Sequence, residues 1–241
     1  MSQVSPVFKR EFLGYFRSPV AYVFLIAFLV LSVALAFSRY GAFYRAGQAT
    51  LEGYFQFFPW LFLFLVPAVG MRLWSEEKRS GTVELLFTLP LTTLDCVLGK
   101  FLAAWAFLTV AILMSFPMVI TVAFLGDPDW GVMAATYTGA ILMAGGYLGV
   151  CCLTSALTKN QVISFVLSFL ACALLVFLGL SALGEFLTAL FPTAVVDAIS
   201  NFSFMTHFEA FTRGIIDPKD VAFFLSLIGF TLFLNVVALE R

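Results

Sequence analysis

The stretch VAYVFLIAFLVLSVALAFS, at residues 20–38, contains no charged side chain. A helix needs about 20 apolar residues to cross the hydrocarbon core of a bilayer, so this stretch predicts a transmembrane span. Five further apolar segments follow, at about residues 54–73, 99–125, 131–157, 162–183 and 221–239. The sequence therefore predicts an all-α polytopic membrane protein with six transmembrane helices, which form a single domain over residues 1–241.

The composition agrees with a lipid environment. Hydrophobic residues make up 62% of the chain and charged residues 11%, whereas soluble domains have about 45–50% and about 25%. The formal net charge is −1 and the cations form no basic stripe, which argues against nucleic-acid binding. No ionisable residue lies near the middle of a predicted span. Ion-coupled carriers usually place such groups along their pathway, so a self-powered carrier is disfavoured.

The distribution of Lys and Arg predicts the orientation. If both termini share one side of the membrane, nine of these cations fall on that side and four on the other. Because cytoplasmic loops carry the excess of positive charge, we expect both termini in the cytoplasm and the protein in a bacterial inner membrane. Ala34-Leu35-Ala36 resembles a signal-peptidase site, but the apolar run is longer than a signal sequence requires. We therefore expect residues 20–38 to remain as the first span.

Residues 4–17 predict a helix that lies along the membrane surface before the first span. Its apolar residues recur at helical spacing, which is typical of an interfacial amphipathic helix. They are Val4, Val7, Phe8, Phe12, Tyr15 and Phe16.

The segment 184–220, between spans five and six, contains apolar pieces that are each too short to cross a membrane. Pro192 separates two of them, and the aromatic residues Phe202, Phe204, Phe208 and Phe211 follow. We expect outer re-entrant half-helices here, with helices lying on the outer surface as the alternative. Irregular backbone at membrane depth would require cover from other parts of the protein.

Small residues predict where helices approach each other closely. Gly145 and Gly149 form a G-x-x-x-G pattern in span four, and Ser164, Ser168 and Cys172 repeat every four residues in span five. These stripes face either other helices of the same chain or a second copy. None of the four cysteines forms a C-x-x-C pair, so neither a metal nor a redox site is predicted.

The polar hairpin between spans two and three, residues 75–92, is the most informative segment. It begins with a mixed-charge cluster, Glu76 to Arg79, which the helix-breaking pair Ser80-Gly81 follows. Val83, Leu85, Leu86 and Leu89 then predict a short amphipathic helix that ends at Pro90. A short helix with an apolar face and charges of both signs suits docking into a groove of a soluble partner. The alternative is a helix lying on lipid headgroups.

The same run resembles the inner loop of ABC-2-type permease subunits. The closest resemblance is to the gliding-motility-type branch, which is related to the permease of the nitrous-oxide reductase maturation system. Weaker similarity occurs at residues 98–101, 157–161 and 211–217. The resemblance implies a six-helix permease that forms a dimer and binds one cytosolic ABC ATPase subunit per copy. It also implies a re-entrant segment before the last span and an optional auxiliary subunit with a large extracytoplasmic domain.

The resemblance further implies that the hairpin docks on the ATPase through a coupling helix. The expected docking residues are Glu76, Glu77, Lys78, Arg79, Ser80, Gly81, Thr82, Val83, Glu84, Leu85, Leu86 and Leu89. The chain itself lacks the phosphate-binding G-x-x-x-x-G-K-[ST] motif. Its only Gly-Lys pair is Gly99-Lys100, with Phe101 after it and Leu94 where the first glycine belongs. ATP and magnesium are therefore expected in the partner subunit.

The predicted function is that of a permease subunit, which couples ATP hydrolysis by a separate subunit to export or to mechanotransmission across the membrane. We expect no enzyme activity, cofactor or metal site in this chain. The alternative is a membrane scaffold or assembly factor that anchors a soluble or extracytoplasmic partner without transport. A secondary carrier or membrane-bound enzyme is the weakest candidate, because the chain lacks intramembrane charges and clusters of catalytic residues.

Overall fold

The computed structural model of the protein describes residues 4–38, 52–82, 91–125, 129–189 and 192–240. Over these ranges the chain is helical and contains no strand, which confirms the all-α prediction. The helices are α1 (Val4–Arg17), α2 (Pro19–Ala36), α3 (Glu52–Phe55), α4 (Phe58–Gly70), α5 (Ser75–Ser80), α6 (Thr93–Leu113), α7 (Phe116–Leu125), α8 (Trp130–Leu157), α9 (Gln161–Phe177), α10 (Ser181–Thr188), α11 (Thr193–Ser200), α12 (Phe204–Thr212) and α13 (Pro218–Leu239).

Five stretches are long and apolar enough to cross a membrane: Pro19–Ala36, Gly53–Ser80, Thr93–Phe124, Trp130–Leu157 and Pro218–Leu239. A polytopic helical membrane protein is therefore confirmed. The segment predicted as span five differs, because α9 ends at Phe177 rather than near residue 183. The chain turns at residues 178–179. The hydroxyl of Ser203, the residue before α12, donates to the carbonyl of Val176 across 3.4 Å.

Polar side chains set the starts of the long helices. Thr92 accepts a hydrogen bond from the backbone N–H of Asp95, and Asp129 caps α8 in the same way. Asn160 and Asp217 cap α9 and α13. Such caps satisfy N–H groups that have no partner inside the helix. The Thr92 cap starts α6 at Thr93, six residues before the predicted start of span three.

The long helix α8 forms the centre of the fold and packs against α4, α6, α9, α12 and α13. A Cβ atom at Gly149 would collide with the hydroxyl of Thr231, and one at Gly145 would meet Trp105 and Ile228. The predicted glycine pair thus faces other helices of the same chain. Asn235 of α13 donates to the backbone carbonyl of Cys152 across 2.7 Å, so a polar contact joins the two helices as well.

The small-residue stripe of span five also faces inward. Ser164, Ser168 and Cys172 are fully buried. The hydroxyl of Ser168 bonds to that of Thr154 on α8, and the thiol of Cys172 lies against the carbonyl of Tyr147. Most of the opposite face of α9 is exposed, where apolar residues such as Leu170 and Leu174 point away from the protein.

The aromatic segment before the last span is covered by other helices. Phe204, Phe208 and Phe211 of α12 are buried, whereas Phe202 is 63% exposed. The ring of Phe204 stacks on Tyr147 of α8 with centroids 4.3 Å apart. Protein thus covers α12, as a re-entrant segment would require. The choice between a re-entrant and a surface position for residues 184–220 stays a prediction.

The N-terminal helix has the predicted extent but a tighter contact than a surface helix needs. Its residue Val7 is buried, and Tyr15 stacks on Phe107 of α6 with ring centroids 4.9 Å apart. Phe16 meets the same ring edge-on at 5.8 Å. Part of the apolar face of α1 therefore packs on α6 instead of on lipid.

Candidate functional site

The base of the hairpin is formed by a break in the second span. The helix α4 ends at Gly70, a turn follows at residues 71–74, and α5 continues to Ser80. Gly81 then adopts a left-handed conformation with φ of 72° and its N–H donates to the carbonyl of Glu77. Glycine adopts this conformation without a Cβ penalty, so the Ser80-Gly81 pair ends the helix as predicted.

One buried hydroxyl, that of Ser155 on α8, satisfies the backbone groups that this break releases. It accepts hydrogen bonds from the N–H groups of Trp74 and Ser75, both at 3.1 Å. It donates to the carbonyl of Met71 at 3.0 Å. A hydroxyl has one donor and two acceptor sites, so all of them are used. The turn is therefore held against the end of α8.

A second contact joins the same two parts. The ammonium group of Lys78 on α5 donates to the backbone carbonyl of Ala156, in the last turn of α8. Carbonyls in the last turn of a helix lack partners within that helix and attract cations. Ser155 and Ala156 are neighbours, so α5 is attached to the end of α8 at two adjacent points.

An ionic cluster attaches α5 to α1 and α6. The ammonium of Lys100 lies 2.7 Å from an oxygen of Glu77 and 3.2 Å from an oxygen of Glu11. Arg10 lies 2.6 Å from the same Glu11 oxygen and 3.9 Å from Glu77. The side chain of Lys100 is 3% exposed, and its ammonium lies 5.3 Å from the centre of a ring of Trp74. Two cations thus balance two carboxylates, as a buried charge requires.

Electrostatics of the cluster favour the ionised carboxylate of Glu11. Burial acts to raise the pKa of this group, but Lys100 and Arg10 outweigh it, and the pKa lies below its ordinary value. The contact with Glu11 in turn raises the pKa of Arg10 despite its partial burial. Glu11 and Arg10 are therefore both charged near neutral pH, so their contact is an ion pair.

The structure divides the predicted docking residues into three groups. Glu77 and Lys78 point into the protein, where they bind Lys100 and Ala156. The exposed members are Glu76, Arg79, Ser80, Gly81 and Thr82. Val83, Glu84, Leu85, Leu86 and Leu89 lie outside the described residues.

Sequence reasoning did not identify the residues that hold the hairpin. Lys100 was considered by name only as the lysine of an incomplete nucleotide motif, and Arg10 only contributed to the count of cations on the inner side. Glu11 and Ser155 had no assigned role. The available signal was the position of Lys100 inside an otherwise apolar run, because a buried cation needs an anionic partner.

The described residues contain no group of three His, Cys, Asp or Glu side chains arranged to hold a metal ion. The cysteines Cys96, Cys151, Cys152 and Cys172 are buried and unpaired. The polar chemistry at the hairpin base is thus one of hydrogen bonds and ion pairs.

Comparison with known proteins identifies no family. No protein-family model and no curated protein matches the chain.

Proposed function

We propose that the chain is the membrane-spanning permease subunit of an ABC-2-type transporter. In this proposal a separate cytosolic ATPase moves the hairpin, and the chain passes that movement to export or to mechanotransmission. The observation that carries the proposal is the double attachment of the hairpin base. One side of α5 is bound to the end of α8, and the Lys100 cluster binds it to α1 and α6.

A coupling segment passes on movement only if it is firmly attached to the helices that it moves. Ser155 and Lys78 join the hairpin to α8. The helix α8 in turn packs extensively against α13. A displacement of α5 would therefore reach the centre of the bundle without crossing a flexible joint. Exposed charges of both signs, Glu76 and Arg79, remain on the outer side of α5 and supply polar contacts for a soluble partner.

The finer features of the proposal concern topology. We infer that α9 also crosses the membrane, as the fifth of six spans, although its 17 residues extend only about 25 Å. Local thinning of the bilayer or the turn after Phe177 would cover the difference. The hairpin and both termini face the cytoplasm of a bacterial cell, in agreement with the positive-inside bias. Two copies of the chain would each bind one ATPase subunit.

Crosslinking tests the proposal directly. The described native cysteines are buried, so Ser80→Cys introduces an exposed thiol at the end of α5. We expect this thiol to crosslink to a cytosolic ATPase encoded beside this gene and co-expressed with it. Thr188→Cys, at the exposed end of α10, is the matched control and should not react with that subunit.

A second readout addresses coupling. In the complex reconstituted into nanodiscs, Arg79→Glu should lower ATPase activity while the permease still inserts and melts normally. Crosslinks from Thr188→Cys but not from Ser80→Cys would refute the proposed orientation. A neighbouring gene product without a nucleotide-binding motif that crosslinks to Ser80→Cys would instead support the scaffold function.

A further inference from the structure

A cavity lies between α1, α2 and the break in the second span. Its volume is about 370 Å³, and it opens to one side. Phe24, Ala68 and Phe107 form an apolar wall. The charged lining residues are Arg72, Lys100, Glu11, Glu76 and Glu77. The cavity lies where α2 begins and α4 ends. A span that starts or stops there meets the headgroup region of a bilayer, so the cavity faces lipid headgroups rather than acyl chains alone.

Two polar atoms at this cavity lack partners. The Nε atom of Arg72 is shielded from solvent and has no hydrogen-bond partner in the structure, and the same holds for Oε2 of Glu77. Lys100 occupies only the other oxygen of Glu77. Buried polar atoms without partners are uncommon and cost about 1–3 kcal/mol each. Two side chains that line the cavity therefore carry one donor that needs an acceptor and one carboxylate oxygen that needs a donor.

The charges specify what would satisfy both atoms. Arg72 takes part in none of the ion pairs among the described residues, and the phosphate of a lipid headgroup suits its planar guanidinium. Three carboxylates and two cations line the cavity, so the lining favours a further cation near that phosphate. Only a cation with N–H groups can donate to Oε2 of Glu77. A quaternary ammonium lacks such a donor, and an anionic headgroup would add negative charge to a lining in which carboxylates already outnumber cations.

We propose that this cavity binds a phospholipid with a primary ammonium group, of the phosphatidylethanolamine class, from the adjacent leaflet. The phosphate pairs with Arg72, the ammonium donates to Glu77 and faces Glu76, and the start of an acyl chain lies along Phe24 and Ala68. The site adjoins the Lys100 cluster and thus links lipid occupancy to the hairpin base. It does not depend on the ATPase partner and is tested without one.

Native mass spectrometry of the purified full-length protein tests the site. The protein is reconstituted in vesicles of equal parts phosphatidylethanolamine, phosphatidylcholine and phosphatidylglycerol, then extracted with mild detergent. We expect one phosphatidylethanolamine molecule to be retained in preference to the other two. Arg72→Gln should lower this retention about tenfold, since it removes a charge-assisted hydrogen bond. Arg17→Gln replaces an exposed arginine that does not line the cavity and should change nothing.

A pair of glycine variants separates loss of the site from loss of the fold. A Cβ atom added at Gly14, which lines the cavity, meets no atom within 4 Å, and the same is true at Gly229 on α13. Gly14→Leu should therefore block retention at an unchanged melting temperature, while Gly229→Leu retains the lipid. Equal retention of the three lipids, or a preference for either of the other two, would overturn the proposal. Retention that survives both Arg72→Gln and Gly14→Leu would also overturn it.

Discussion

Two regions pack against α8 through different kinds of contact: the hairpin base through polar contacts and α12 through aromatic contacts. At the hairpin base, directional contacts from Ser155 and Lys100 join α5 to three other helices. Where α12 packs on α8, the contacts are close-packed rings, including Phe204 on Tyr147. Ion pairs and hydrogen bonds change with pH or with a bound partner, whereas packed rings respond mainly to volume. The hairpin base is thus the region suited to regulation and the aromatic layer the region suited to support.

The largest effect is expected when the ionic cluster loses its central cation. Lys100→Met deprives the partly buried carboxylates of Glu11 and Glu77 of this partner, and should lower the free energy of unfolding by about 4 kcal/mol. The thermal melting of the purified protein in detergent measures this change. Lys219→Met, at an exposed lysine, serves as control and should shift stability by less than about 0.5 kcal/mol.

A compensating variant sharpens that result. If unpaired charge is the cause, adding Glu11→Gln and Glu77→Gln to Lys100→Met should recover much of the lost stability, because no buried charge then lacks a partner. A triple variant as unstable as the single one would show that packing of the lysine stem, and not charge, matters at this position.

The aromatic layer should respond to loss of volume. Phe204→Ala removes a fully buried ring and should destabilise the protein by about 3 kcal/mol. Phe202→Ala, two residues earlier at a side chain that is 63% exposed, should have little effect in the same melting experiment. Similar losses for both variants would mean that α12 is not covered in the way described.

A smaller effect is expected at the hydroxyl of Ser155, which holds the turn at residues 71–74 against α8. Ser155→Ala deprives the N–H groups of Trp74 and Ser75 of their acceptor and should cost about 2 kcal/mol. Ser226→Ala is the matched control, because that hydroxyl only bonds to a carbonyl of its own helix. Hydrogen exchange should show faster exchange at residues 71–75 in Ser155→Ala. An unchanged exchange rate there would contradict the assigned contact.

The smallest effect is the pH dependence of the contact between Glu11 of α1 and Lys100 of α6. The pKa of Glu11 is lower in the folded protein than in an unfolded chain, so its stabilising contribution is complete above the unfolded value of about 4.3. That contribution is lost as the pH falls through the lower folded value. Melting temperatures between pH 7 and pH 3 measure the loss, and Glu11→Gln should make this decline smaller. An identical pH profile for both proteins would exclude Glu11 as the responsible group.

Much of the fold could be predicted because its signals are local. Apolar segments and their caps, such as Thr92 before α6, lie within a few residues of the features that they determine. The candidate site was harder to predict from the sequence. Glu77 was expected to face a soluble partner. Nothing near it in the sequence shows that Lys100, 23 positions later, donates a hydrogen bond to its carboxylate. The helix α9 ends at Phe177, about six residues before the predicted end of span five, and Ser203 of a distant segment contacts it there.

The sequence alone determined that this is a helical membrane protein, since the number of apolar residues between polar ones decides which segments can enter lipid. It also determined the helix break after Ser80, because Gly81 adopts a left-handed backbone at little cost. Only the tertiary structure decided which charges face inward. Burial of Lys100 depends on two carboxylates from separate helices, and such pairings arise when the helices pack together.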